Sequence, residues 1–335
     1  MAIKDLNTLF FDTLKSNCTK NISFIEEVAE VLDINYDAAY RRINNKTSLS
    51  LVEAIKLATH FKISIDNQIL SQNLDQNKLI VRDSADMSTF EGIENYFDAF
   101  LNNQKTIENK NETHIIYNAK DLPLFYFAKD PLFAKFKIYT MLYLFNKNFS
   151  QENITFNSFI LPKSLEEKVK KFGEIYYEFD ITEIWNNNIL DATINQILYF
   201  YELKIILYNT AISLCDKLIQ IIKQIEKDSF SGVRNNTSKS VLNIYNSPLL
   251  LLNNNVVIQT KHKNILLLPY ILAKYFYIED QRFIHKYINI INEELKLATL
   301  LSKAGVKERL TFFKMKYKTI EKAKQHIELF RHFPL

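Results

Sequence analysis

Four polar side chains are predicted to face outward from one short helix, Tyr36 to Asn44. They are Tyr36, Asp37, Tyr40 and Arg41. Only Ala39 and Ile43 remain to hold this helix against a core, and so little apolar surface makes a poor core helix. The pattern is typical of a helix whose exposed side chains read a partner.

Two flanking helices are predicted to position the polar one. The first begins at Ser23, whose hydroxyl can cap a backbone N–H, and Glu26 completes a capping box. Its buried stripe has helical spacing and comprises Phe24 or Ile25, Val28, Ala29 and Leu32. The other begins at Ser50, with Glu53 again at the capping-box position. Its predicted inner face comprises Leu51, Ile55, Ala58 and Phe61.

The turns between these helices use residues that tolerate a left-handed backbone. Asp33 ends the first helix, Ile34 is predicted to point inward, and Asn35 can cap the polar helix. Asn44 and Asn45 form the second turn, since Asn is the commonest substitute for Gly after a helix.

The stretch VAEVLDINYDAAYRRINNKTSLSLVEAIKLATHFKISID resembles the Cro and repressor (Xre) type of helix-turn-helix. The resemblance covers residues 4 to 72 if an opening helix, Asp5 to Ser16, and a short closing helix after Ser64 are included. The chain departs from the family at its two turns, where Asp33 and Asn45 replace the usual glycines. Both replacements are tolerable, so the expected fold is a small helical bundle.

The resemblance implies that Tyr36 to Asn44 lies in the major groove of double-stranded DNA. The side chains implied to reach base edges are Tyr36, Asp37, Tyr40 and Arg41. Arg41 would suit guanine, because its guanidinium matches the O6 and N7 acceptors. The residues implied to hold phosphates are Asn35, Asn44 and Lys46. Arg42 falls where relatives bury an apolar residue, so we expect its stem to pack and its head to reach a phosphate.

Charge does not by itself indicate a polyanionic partner. The whole chain carries a net charge of +4, and residues 1–72 hold eight Lys or Arg against nine Asp or Glu. Any cationic surface on this domain must therefore be local. Two other interpretations of the stretch stay open: a helical bundle with a solvated polar face, and a helix-turn-helix that contacts only protein.

Length and composition predict two or three domains in a reducing cytoplasm. The chain has 335 residues, 47% of them hydrophobic, and no signal peptide is recognised. Cys18 and Cys215 lie on separate predicted domains and form neither a disulfide framework nor a metal cluster. The most apolar run, Ile265 to Ile278, is shorter than a membrane span and is interrupted by Pro269 and Lys274.

The predicted fold class is mainly α. A helix-turn-helix domain over residues 1–72 is followed by a linker over 73–88 and a larger helical α+β domain over 89–335. That domain is predicted to contain a small antiparallel sheet, whose strands are Val241 to Asn246, Leu249 to Leu252, Val256 to Thr260 and Asn264 to Tyr270. His114 to Asn118 is predicted to form a further short strand, and two long helices are predicted to close the chain, at 280–301 and 304–331.

From Asp121 onward the chain also resembles bacterial helix-turn-helix regulators that share a long C-terminal domain without an assigned activity. The stretches that carry this resemblance are AKDLPLFYFAKDPLFAKFKIYTML, ITEIWNNNILDATINQILYFYE and GVKERLTFFKMKYKTI. In the last helix, apolar residues spaced four and three apart from Val306 to Ile327 allow a coiled-coil contact between protomers. Packing of that helix on its own domain is the favoured alternative.

No motif in the sequence indicates the chemistry of an enzyme. Four glycines cannot build a phosphate-binding loop or a dinucleotide fingerprint, and the six histidines include no pair at metal-ligand spacing. We therefore predict no catalytic residues, no cofactor and no metal site. The aromatic load from Phe90 to Phe200 indicates core packing, or a pocket for a small apolar or peptide effector.

These observations predict a cytoplasmic, sequence-specific DNA-binding transcriptional regulator that acts as a homodimer and has no membrane partner. The domain over 89–335 would then serve dimerisation and effector sensing. Three alternatives remain: a DNA-targeted enzyme with a site scattered over residues 90–335, a protein-interaction scaffold, and a peptide-responsive regulator built from helical repeats.

Overall fold

The computed structural model describes residues 3–16, 23–61, 63, 65, 86–105, 112–152, 154–234, 240–249, 254–271, 274–303 and 305–332. The chain divides into two compact units, Met1–Leu79 and Ile80–Leu335. The predicted linker over 73–88 lies outside the described residues except for its last three positions, and the closing helix predicted after Ser64 lies outside them almost entirely. No helix in the described part of the chain is long and apolar enough to cross a membrane.

The first unit consists, in its described part, of four helices. They are α1 (Ile3–Ser16), α2 (Phe24–Leu32), α3 (Tyr36–Ile43) and α4 (Leu51–His60). Their apolar faces meet in one core, whose most buried members include Phe11, Leu14, Val28, Ala39 and Leu57.

Local hydrogen bonds set the helix boundaries of this unit. Both predicted capping boxes are confirmed: Ser23 and Glu26 cap α2, and Ser50 and Glu53 cap α4. The two predicted left-handed residues are also confirmed, with φ of 55° at Asp33 and 57° at Asn45. These contacts span four residues or fewer, which is why the sequence alone predicts them.

The inner face predicted for α4 is partly wrong. Leu57, Ala58 and Phe61 are buried, whereas Leu51 is 72% exposed and Ile55 is 50% exposed. The helix is rotated relative to the prediction, so that its Ala54 and Leu57 side faces the core of the first unit.

The second unit contains a seven-stranded mixed sheet. Its strands are β1 (His114–Ala119), β2 (Asp180–Trp185), β3 (Leu242–Asn246), β4 (Asn255–Gln259), β5 (Asn264–Ile271), β6 (Lys274–Ile278) and β7 (Thr299–Leu300). Their order across the sheet is β6-β5-β4-β1-β2-β3-β7. The central strands β1, β2 and β3 run parallel, and β4, β5, β6 and β7 pair antiparallel with their neighbours.

The prediction of a small antiparallel sheet is therefore only partly right. β4 and β5 pair antiparallel as predicted and β6, which was not predicted, extends them, but β3 pairs in parallel with β2. The predicted strand Leu249 to Leu252 lies outside the described residues except for Leu249, which is in a turn. Strand β2 was missed because Thr182 and Glu183 look solvent-exposed in sequence and are buried in the fold. A sheet of this size also contradicts the alternative of a stack of helical hairpins.

Helices cover both faces of the sheet. On one face lie helices that connect the parallel strands: α6 (Leu124–Ala128), α7 (Pro131–Phe145), α8 (Lys147–Gln151), α9 (Lys163–Ile175), α10 (Asp191–Glu202) and α11 (Tyr208–Ser231). The helix α5 (Phe90–Lys105) packs against the same core. On the opposite face, α12 (Gln281–Leu297) contributes Ile284, Tyr287 and Ile291 to a second core with Ile116 and Val257.

The last helix, α13 (Val306–His332), packs on its own unit. Phe313, Ile320 and Ile327 from the predicted seam are fully buried against the main core. Its Tyr317 hydroxyl donates to Glu226 of α11 at 2.6 Å. The seam from Phe313 to Ile327 is therefore used within the chain, whereas its first two members, Val306 and Leu310, are 55% and 57% exposed.

Candidate nucleic-acid interface

Helix α3 is held at its start by a side-chain cap and along its length by two apolar contacts. Asn35 Oδ1 accepts from the backbone N–H of Ala38 at 2.8 Å. Ala39 is fully buried and Ile43 packs against the core of the first unit. The cap satisfies one free N–H of the first turn, so this eight-residue helix needs few further contacts to stay formed.

The outward face of α3 carries the four side chains that the sequence predicted there. Tyr36 is 49% exposed and Tyr40 is 42% exposed, and Asp37 and Arg41 are exposed as well. Tyr36 and Tyr40 are one turn apart, as are Asp37 and Arg41, so the four form two adjacent rows. This face presents phenol hydroxyls, a carboxylate and a guanidinium to whatever approaches it.

The turn after α3 extends the same surface. Asn44 Nδ2 donates to the carbonyl oxygen of Tyr40 at 2.8 Å, and the backbone N–H of Lys46 donates to the carbonyl oxygen of Arg41 at 2.7 Å. The Lys46 ammonium lies 5.6 Å from the centroid of the Tyr40 ring. The fold thus brings Asn44 and Lys46 beside the outward face, with both side chains exposed.

Arg42 has a different role from the other predicted residues. Its Nη2 lies 2.7 Å from Glu53 Oε1, its Nε donates to the same oxygen at 2.9 Å, and its Nη1 donates to the Ala38 carbonyl oxygen. The hydrogen bond from Arg42 is the main reason why the pKa of Glu53 lies below its usual value, with burial opposing it and Ser50 adding to it. The head of Arg42 therefore ties α3 to α4, and its contact with a phosphate stays a prediction.

The positive charge of this surface is confined to a few side chains, as the near-neutral composition of residues 1–72 predicted. Because Glu53 neutralises Arg42, the exposed cations beside α3 are Arg41 and Lys46. No carboxylate of the described residues forms an ion pair with either one. Asp37 shares the face and would repel a phosphate, so the surface suits contact with base edges better than broad attraction to a backbone.

Two tertiary contacts that fix the frame of α3 were missed in sequence. His60 Nε2 of α4 lies 3.0 Å from Oε1 of the buried Glu27 of α2. Asn45 Nδ2 donates to Thr8 Oγ1 of α1 at 2.8 Å. The partners are more than 30 residues apart along the chain, so no local pattern in the sequence reveals either pair.

Comparison with protein-family models, with curated proteins and with solved structures finds no match to this chain.

Among the described residues, no group of three or more His, Cys, Asp or Glu side chains is arranged to hold a metal ion.

Proposed function

We propose that this protein is a sequence-specific DNA-binding transcriptional regulator that reads the major groove with α3. The observation that carries the proposal is the outward face of α3. Four hydrogen-bonding side chains are exposed there on a helix anchored by Ala39, Ile43 and the Asn35 cap. Tyr36 and Tyr40 lie one turn apart, so their half-exposed rings form one surface beside Asp37 and Arg41 that a partner can contact.

The chemistry of the face suits base edges. Arg41 can donate two hydrogen bonds to guanine O6 and N7, and Asp37 can accept from cytosine N4. Lys46 and Asn44 border the face, where a phosphate of the same groove would pass. We assign Arg42 to the frame, because its guanidinium is already engaged by Glu53.

A homodimer forms part of the proposal. One recognition helix covers only a few base pairs, so a useful site needs two copies on half-sites about 34 Å apart or a multiple of that distance. Most of the seam of α13, from Phe313 to Ile327, is buried within the chain, so we propose that another surface of the protein holds the dimer.

The test selects bound fragments from a library of genomic DNA with the full-length protein at about 150 mM salt, where non-specific phosphate binding is weak. Wild type is compared with Tyr36→Ala/Arg41→Ala. We expect wild type to enrich a two-fold site and the double variant to lose that preference. Loss of the Arg41 contact alone corresponds to about 1–3 kcal/mol, or roughly 5- to 150-fold in discrimination at one base pair.

Lys15→Ala is the matched control, since it removes one exposed positive charge from α1 and leaves α3 intact. It should lower affinity slightly for all sequences and keep the enriched site. If the double variant enriches the same site as wild type, α3 is not the reading helix. If wild type enriches nothing, the proposed function is wrong.

A further inference from the structure

A cavity of about 710 Å³ lies within the second unit. One wall is formed by the strands β1, β4, β5 and β6, and the other by helices α5, α6, α7, α9 and α10. Its lining is rich in aromatic side chains, which include Phe100, Phe125, Phe172, Tyr117, Tyr275 and Tyr277. The volume falls within the range of sites that bury small organic molecules. Part of the aromatic stretch from Phe90 to Phe200 therefore lines a pocket as well as a core.

The sheet topology favours a ligand at this place. Strand β1 has a parallel neighbour, β2, on one side and an antiparallel neighbour, β4, on the other. Ligands of open α/β sheets bind beyond the carboxyl ends of strands where the connections diverge, and Lys120 and Asp121 follow the end of β1 and line the cavity. Asn254 Oδ1 accepts from the backbone N–H groups of both residues, at 2.9 and 3.3 Å, and so fixes this rim.

The Lys137 side chain lines the cavity and, among the described residues, hydrogen-bonds only to neutral groups. Lys137 Nζ of α7 donates to Thr193 Oγ1 and to Gln196 Oε1, each at 2.8 Å, and both acceptors are neutral. Its ammonium also lies 4.5 Å from the centroid of the Phe127 ring. No carboxylate in the described part of the chain comes within ion-pair distance of Lys137 Nζ. An ammonium has three donors, so one hydrogen bond remains for a ligand.

We propose that the cavity binds a small organic carboxylate with an aromatic or aliphatic body, its carboxylate accepting a hydrogen bond from Lys137 and its body packing against the ring-lined walls. A charged group in an apolar site is stabilised most by an opposite charge at hydrogen-bond distance. The other charged side chains of the lining, Lys120 and Asp121, cancel each other, so a protonated Lys137 leaves the cavity with a net positive charge. An anion therefore fits better than a cation.

Protonation of Lys137 should be coupled to binding. Burial lowers the pKa of Lys137 to about 7, and the nearby Asp121 opposes that shift. Burial raises the pKa of the lining tyrosines 96, 117, 176 and 275, so these hydroxyls stay neutral and do not compete as anions. A bound carboxylate favours the ammonium form, so binding takes up a proton and the affinity should fall by up to about tenfold for each pH unit above about 7.

The experiment is calorimetric titration of the full-length protein with three acids, indole-3-acetate, 4-phenylbutyrate and octanoate, beside the uncharged amide of each. We expect at least one acid to bind, and to bind at least tenfold more tightly than its amide. Its affinity should be lower at about pH 8 than at about pH 6. Two buffers of different ionisation enthalpy report the proton that is taken up.

Lys137→Met removes the charge and keeps most of the apolar stem, and it should weaken the acid at least tenfold. Lys135→Met is the matched control: it lies on the same helix, its ammonium rests 4.5 Å from the Phe156 ring centroid, and it does not line the cavity. Ala192→Phe, which narrows the cavity, should weaken acid and amide alike.

The proposal is wrong if the amides bind as tightly as the acids, or if Lys137→Met binds the acid as wild type does. It is also wrong if no acid binds at about 1 mM, a dissociation constant that corresponds to only about −4 kcal/mol of binding free energy. The comparison of acid with amide on wild type needs no variant to fold. Because no DNA is present in the titration, its failure would leave the proposed function of α3 untouched.

Discussion

Two substitutions of Glu53 are expected to destabilise the first unit by different amounts. Glu53 Oε1 accepts from Arg42 of α3, and Glu53 Oε2 accepts from the backbone N–H of Ser50 at 2.9 Å. Glu53→Gln removes the charge but keeps an oxygen for the Ser50 cap, whereas Glu53→Ala removes both contacts. The pair therefore separates the ion pair from the cap.

The expected magnitudes follow from the exposure of the pair. The side chains of Arg42 and Glu53 are 19% and 20% exposed, so solvent screens their attraction only in part. We expect Glu53→Gln to lower the free energy of opening of α3 and α4 by about 1 kcal/mol, and Glu53→Ala by about 2 kcal/mol. Arg42→Met should cost about as much as Glu53→Gln and add little to it, because both remove the same interaction.

Hydrogen exchange of the full chain, followed by mass spectrometry, measures this opening region by region. Amides of α3 and α4 should exchange about fivefold faster in Glu53→Gln, and amides of α11 should not change. Glu26→Gln is the matched control, because Glu26 completes the same capping box on α2 without an ion pair among the described residues. It should change exchange by less than about twofold.

The effect of Glu53→Gln should depend on pH. The folded state lowers the pKa of Glu53, so its ionised form stabilises the fold above the pKa of an unfolded glutamate, about 4.3. This contribution is lost as the pH falls through the lower, folded pKa. Wild type should therefore approach Glu53→Gln in stability below about pH 4. Equal effects of Glu53→Gln and Glu26→Gln, or a difference that persists unchanged in acid, would refute the reasoning.

Three further predictions concern the second unit and are read from chemical denaturation followed by tryptophan fluorescence. Ile320→Ala, in the buried part of the α13 seam, should lower the free energy of unfolding by about 3 kcal/mol. Leu310→Ala, at a position that is 57% exposed, should lower it by under about 0.5 kcal/mol. Equal losses would contradict packing of the buried part within the chain. Glu183→Leu should lower the free energy of unfolding by about 3–5 kcal/mol, because it leaves the buried Arg234 without its carboxylate partner. Adding Arg234→Met should restore part of that stability. Gly232→Ala should cost about 1–2 kcal/mol because the backbone φ there is 66°, and Gly232→Asn should cost less; a neutral alanine would show that the α11 cap tolerates a side chain.

The buried Glu183 shows why part of the fold was beyond sequence reasoning. Its carboxylate accepts from the hydroxyls of Tyr126 and Tyr176 and from Trp185 Nε1, at 2.6 to 2.7 Å, and Arg234 lies 3.4 Å away. In sequence, a glutamate within DITEIW indicates a surface position and argues against a central strand. Only partners from three other segments of the chain make its burial tolerable.

The exposed side chains of α3 were predictable from the sequence, and the contact made by Arg42 was not. The exposure of Tyr36 and Arg41 follows from their spacing on α3, because a helix that buries Ala39 and Ile43 must turn the opposite residues outward. Arg42 is the next residue after Arg41 and has the same side chain, so the sequence does not tell the two apart by chemistry. Its assignment to the frame depended on Glu53, eleven residues later and on another helix.

The sequence by itself determined the helices of the first unit, their caps, their left-handed turns and the polar face of α3. Each of these depends on contacts within about four residues, so local spacing specifies them. Tertiary structure alone decided the parallel centre of the sheet, the pairing of Arg42 with Glu53 and the position of Lys137 at a cavity wall. Those features join residues far apart in the chain, and the interactions between these residues become strong only after folding has buried them away from water.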